Sequence, residues 1–169
     1  MQEKEIINRV AESELVTFNL EDYFPKGERV LFDVKDWLFE GLILKEKDFR
    51  EFVKKQDWSI FKDKFLALTC TEDAILPTWA YMLVATQLRP FAKKIVFGDL
   101  ALLETVLFSD AIAAINPKDF EGQKIIIKGC SSVKVPESAY VEIISKLQPV
   151  AQSIFYGEAC STVPLFKRK

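Results

Sequence analysis

The chain has 169 residues and a mass of 19.4 kDa, which suits one domain better than two. Apolar residues make up 49% and charged residues 28%, close to globular averages, so a disordered or low-complexity chain is excluded. The 23 basic and 25 acidic side chains leave a formal charge of -2, with no basic footprint for nucleic acid, and the lack of histidine removes Ser-His and Cys-His triads and imidazole metal sites.

Residues 3–15 read as a helix with Ile6, Ile7, Val10 and Leu15 as its apolar stripe. Its start, Met-Gln-Glu-Lys-Glu, lacks the basic and apolar parts of a signal peptide. Residues 16–20 alternate like a strand, and Pro25-Lys26-Gly27 is a turn. Residues 29–44 suit one or two strands, broken by Lys35-Asp36 and Gly41, and residues 46–55 a helix with Phe49, Phe52 and Val53 inward. From residue 64 the pattern is regular. Short, continuous apolar runs at 65–69, 95–97, 125–127 and 153–156 read as strands covered on both faces. Between them, residues 77–88, 100–115 and 136–147 have helical spacing, with Pro77 and Pro136 suiting a first turn. The helix 77–88 is apolar on two sides, through Trp79, Met82, Leu83 and Leu88 and through Tyr81 and Val84, and is expected to be largely buried. Such alternation predicts an α/β fold: a single domain with a mainly parallel β-sheet between helices, in three layers. Residues 1–60 form its irregular N-terminal part and 61–169 its repeating βα units. The end, Phe166-Lys-Arg-Lys169, reads as a solvated basic tail. The longest uncharged stretch, 74–88, contains Pro77 and is too short for a membrane helix, so a soluble cytoplasmic protein is expected.

The strand ends carry the chemistry. Val96-Phe97-Gly98-Asp99, Ile127-Lys128-Gly129-Cys130 and Phe155-Tyr156-Gly157-Glu158 each run from an apolar strand through glycine to a reactive side chain. The strand before them ends Leu68-Thr69-Cys70. In a parallel sheet these positions share the carboxyl edge, where open α/β sheets bind ligands, and glycine there permits a positive φ and a close backbone approach. Each cysteine is followed by a hydroxyl residue and then an aliphatic-proline pair: Cys70-Thr71 to Leu76-Pro77, Cys130-Ser131 to Val135-Pro136, Cys160-Ser161 to Val163-Pro164. An odd cysteine count without Cys-x-x-Cys disfavours disulfides and thioredoxin-like exchange.

Glu46-Lys47-Asp48-Phe49-Arg50, Pro77-Thr78-Trp79-Ala80-Tyr81-Met82, Val135-Pro136-Glu137-Ser138-Ala139-Tyr140 and the run from Tyr156 to Pro164 carry a family resemblance. Over essentially the whole chain they resemble the uncharacterised Bacteroidetes family "domain of unknown function 2480". The resemblance implies no reaction.

Three functions fit these residues. In the first, Cys70, Cys130 and Cys160 hold zinc or an iron–sulfur cluster, since soft thiolates select such metals, and Glu158, Asp99, water or a protein partner fills a fourth position. A partner would supply or receive the metal or sulfur. In the second, Cys160 or Cys130 is the nucleophile of a thiol enzyme or sulfur carrier, with Glu158, Asp99 or Lys134 as base and the hydroxyl residues steadying the thiolate. In the third, the cysteines only pack, and exposed aromatics among Trp37, Phe39 and Trp58 mark a partner surface. Asp99 also suits a helix N-cap.

Overall fold

A computed structural model describes residues 15–129, 132–158 and 161–169. The helix expected over 3–15 lies outside them, apart from Leu15, which opens a strand. In chain order the elements are β1 (Leu15–Phe18), β2 (Arg29–Asp33), α1 (Glu46–Lys55), β3 (Phe65–Thr69), α2 (Thr78–Leu88), β4 (Lys94–Phe97), α3 (Leu100–Ala113), β5 (Lys124–Ile127), α4 (Glu137–Leu147), β6 (Ser153–Glu158) and β7 (Ser161–Lys167). Short 3-10 turns add Leu20–Tyr23, Val34–Trp37, Trp58–Phe61 and Pro117–Phe120. The fold is α/β with mainly parallel pairing. Its strands divide between two sheets rather than one, in the orders β2-β3-β4 and β1-β5-β6-β7. Among the described strands only β6 and β7 pair antiparallel. A continuous apolar run records that a strand is covered on both faces, not which strand lies beside it.

Two compact units follow. The central unit, Lys26–Leu107, holds the three-stranded sheet; the terminal unit, Met1–Pro25 with Phe108–Lys169, holds the four-stranded one. In the central unit β3 is buried along Phe65–Leu68. One face of its sheet packs Phe32, Leu66 and Leu68 against Phe49 and Val53 of α1 and Ala80, Val84 and Leu88 of α2. The other packs Phe65 and Ala67 against Leu103 and Leu107 of α3. Trp58 is buried, donating its indole N–H to the Val53 carbonyl at 3.0 Å, so it marks no surface. Phe52, expected inward, is exposed and stacks on half-buried Trp37. Helix α2 likewise buries a single stripe and leaves Met82 63% exposed, because its apolar residues outnumber the positions that face the sheet. In the terminal unit Phe18, Ile125, Ile127 and Ile154 pack against Phe108 and Ile112 of α3 and Ala139, Ile143 and Leu147 of α4.

The two units repeat one plan. Moving along the chain by 59 residues carries Trp58–Phe61 onto Pro117–Phe120, Thr78–Leu88 onto Glu137–Leu147 and Lys94 onto Ser153, without a gap. Phe61, Pro77, Ala80, Tyr81, Leu88, Ala92, Ile95 and Gly98 meet identical residues at 120, 136, 139, 140, 147, 151, 154 and 157. Caps and turns match as well. Asp57 and Asn116 cap their 3-10 turns through the side chain. Asp63 (φ 62) and Gly122 (φ 71) share the left-handed conformation. The strand that precedes each repeat also matches, by a step of 14: Asn19 after β1 and Asp33 at the end of β2 each cap a following turn. Phe18 packs on Tyr23 and Phe120 at 5.1 and 5.5 Å, as Phe32 does on Trp37 and Phe61 at 5.3 and 5.4 Å. The repeating piece is therefore a strand–helix–strand unit with a separate leading strand, and not the single βα step suggested by the strand ends.

The C-terminal segment is a strand as far as Lys167, and the basic side chains of Lys167, Arg168 and Lys169 are exposed as expected. β7 lies along β6, pairing Tyr156 with Val163 and Glu158 with Ser161, with a register shift at Ile154/Phe155. Ser161 to Pro164 thus belong to a strand, unlike Pro77 and Pro136, which each sit immediately before a helix.

Candidate functional site

In the central unit the carboxyl edge of the sheet brings together the ends of β2, β3 and β4. Cys70 follows β3, half-buried at the margin of the core, and its thiol has a free form, with Sγ 3.7 Å from the Glu72 carbonyl oxygen it points to as donor. The next residue is fixed by Asp33. Its carboxylate accepts the Thr71 hydroxyl at 2.5 Å and the Thr71 backbone N–H at 3.2 Å, while the Lys35 N–H adds a bond at 3.0 Å. Burial works to raise the Asp33 carboxyl, but the Thr71 hydroxyl, the two amides and the Lys35 ammonium together outweigh it and hold the group below its ordinary value. The Thr71 hydroxyl is thus committed to a carboxylate instead of steadying a thiolate. Tyr81 of α2 completes this edge, its phenol raised by burial first and then by Cys70 and Asp33, so it stays protonated at neutral pH.

Asp99 is exposed after β4 and accepts the Leu102 backbone N–H at 2.7 Å, the N-cap role its position suggested. Gly98 adopts φ 143, the conformation expected of a strand-end glycine. Gly129 has no such φ; a Cβ there would meet the phenol end of the exposed Tyr156 ring at 2.9 Å, so the ring would have to shift.

The terminal unit has its own carboxyl edge. Glu21, in the turn after β1, accepts both the backbone N–H and the hydroxyl of Ser132 in the connection after β5. The hydroxyl first and the amide second lower its carboxyl below the usual range, with help from Lys128. A carboxylate from the leading strand or from the turn after it therefore clamps the cysteine-bearing connection in each unit. Glu158 is the last residue of β6 and exposed, and Lys134 is exposed. Cys130 and Cys160 lie outside the described residues, the first in the β5–α4 connection and the second between β6 and β7. Among the described residues no three Cys, Asp or Glu side chains stand together as a metal would need. Phe39 is exposed, with the Lys45 ammonium 3.0 Å over its ring. No helix among the described residues is long and apolar enough to cross a membrane.

Asp33 and Glu21, the two clamping carboxylates, cannot be read from the strands that carry the cysteines, because one ends a leading strand and the other follows one, each far along the chain from the loop it holds. The hydroxyl after Cys70 was a usable signal, since a hydroxyl beside a strand end needs a partner.

No curated protein and no solved structure matches the chain. Residues 4–168 match the family described as Protein of unknown function (DUF2480), and the chain belongs to that family.

Proposed function

We propose that this chain is a cytoplasmic protein that handles a soft metal, zinc or an iron–sulfur cluster, through thiolates at its strand ends. One observation carries the reading. The plan is repeated, and in both units the connection after the central parallel strand contains a cysteine, Cys70 in one and Cys130 in the other. Each connection is tied down by a carboxylate, Asp33 or Glu21, which limits the entropy lost when its thiol takes a ligand. Cys70 supports it too: it packs at the margin of the core yet is only half-buried, with its thiol in a long contact to a carbonyl, whereas a purely packing cysteine is closed in. Cys160 supplies a third thiolate, and Glu158 or Asp99 an oxygen ligand. A protein partner would deliver or receive the metal or sulfur.

The test is the visible spectrum and metal content of protein purified without oxygen. Absorption near about 400 nm with iron and sulfide identifies a cluster, and colourless protein with stoichiometric zinc identifies a zinc site. Metal-free protein that takes up neither on reconstitution overturns the reading.

A further inference from the structure

The repeat exposes a difference at the sheet edges. In the terminal unit the outer edge of β6 is covered by the antiparallel strand β7. The equivalent strand of the central unit is β4, and among the described residues no strand pairs with its outer edge. Beside that edge lies an apolar groove of about 480 Å³ lined by Thr78, Tyr81, Met82 and Ala85 of α2 and by Ile95 and Phe97 of β4. Met82 and Phe97 are 63% and 62% exposed, although the Tyr81 and Phe97 rings already pack at 4.8 Å. The matching ring pair, Tyr140 with Tyr156, sits beside an edge that β7 occupies.

We propose that β4 pairs with β4 of a second copy of this chain, joining two three-stranded sheets across a two-fold axis. The short sequence is self-complementary for this. With the axis at Val96, Ile95 faces Phe97 of the other copy on the groove side, an aromatic–β-branched pair of the kind that Tyr156 makes with Val163. Lys94 then faces Gly98 of the other copy, so no like charges meet. Antiparallel pairing also repeats the direction β7 takes against β6. By contrast β7, the edge strand of the other sheet, carries Pro164 and follows a register shift, two features that discourage further pairing. β4 has neither guard.

Light scattering or sedimentation velocity of the intact chain decides it. The wild type is expected at twice its 19.4 kDa chain mass. Phe97→Lys and Met82→Lys, which place like charges across the axis, should each weaken the dimer by about tenfold or more. Val163→Lys on β7 should leave it intact. If Phe97→Lys fails to fold, Val96→Cys decides: it should cross-link to itself under mild oxidation well above the wild-type background, since the two residues face each other at the axis. A wild type that stays monomeric up to its solubility limit overturns the proposal. So does a dimer that survives Phe97→Lys, or one in which Val96→Cys does not cross-link.

Discussion

The central and terminal units share a scaffold and differ at its margins. Both run from a capped 3-10 turn through a buried central strand to a helix that opens after proline and buries an Ala-x-x-x-aliphatic-x-x-x-Leu stripe: Ala80, Val84 and Leu88 in one, Ala139, Ile143 and Leu147 in the other. Both then close a strand on an aromatic, a glycine and an acid, Phe97-Gly98-Asp99 and Tyr156-Gly157-Glu158. Beyond that point they diverge, because the first continues into helix α3 and the second returns as β7. What recurs is what the scaffold needs in order to fold; what differs is where each unit meets something else. A cysteine stands in the connection after the central strand of each unit, but one position apart under the step of 59, which sets it apart from the leucines: Cys70 falls on Gly129, and Cys130 on Thr71.

The largest effect expected from this equivalence is in the cores. Leu88→Ala and Leu147→Ala remove fully buried side chains at matching positions and should each cost about 3 kcal/mol in urea unfolding. A cost at one site with none at the other would break the equivalence. Next come the glycines after the strands. Gly157→Ala would place a Cβ 2.5 Å from the Ser161 carbonyl oxygen at φ 120, a backbone clash that only movement of β7 relieves, at about 2 kcal/mol or more. In Gly98→Ala the clash is with the Leu102 side chain, which can rotate, so the loss should be smaller by thermal denaturation.

The clamp comes third. Asp33→Ala should cost about 1–2 kcal/mol at neutral pH, through loss of the cap and of the Thr71 bonds. The folded Asp33 carboxyl lies below its unfolded value, so its contribution is complete above the unfolded carboxylate range and is lost as pH falls through the folded value. Stability curves of the wild type and Asp33→Ala should therefore converge below about pH 4. Curves that stay parallel into acid would show that the carboxylate charge does not matter. Smallest is the left-handed turn. Asp63→Gly should gain about 1 kcal/mol, since Gly122 holds the same conformation in the other unit without a Cβ.

Much of this plan was legible in the residues. The four core strands and three of the helices follow from short apolar runs and 3.6-residue spacing, because strands and helices covered by neighbours carry their burial in the sequence. Asp99 as a cap was legible for the same local reason. β7 was not, because Val163, Leu165 and Pro164 lie on an exposed edge strand whose pairing with β6 leaves no apolar period to read. Nor was the division into two sheets: β1 pairs with β5 across more than a hundred residues, and nothing local in residues 15–18 names that partner. The repeat of 59 was hidden behind the shorter step between strand ends, since glycine follows three successive strands, at Gly98, Gly129 and Gly157, while Ala-Tyr and Pro recur only at every second one. The break at Lys35-Asp36 is legible, but nothing in it marks Asp33 as the residue that ends β2, caps the turn that follows and anchors the Cys70 connection.

The central claim is that the strand-end cysteines hold metal. It is tested most directly by the metal content of anaerobically purified Cys70→Ser, Cys130→Ser and Cys160→Ser, each checked for folding by circular dichroism. The account predicts that each folded variant binds less metal than the wild type, with complete loss in every variant if one ion or cluster uses all three thiolates. Wild-type metal content in all three folded variants would contradict it and leave the cysteines as packing residues.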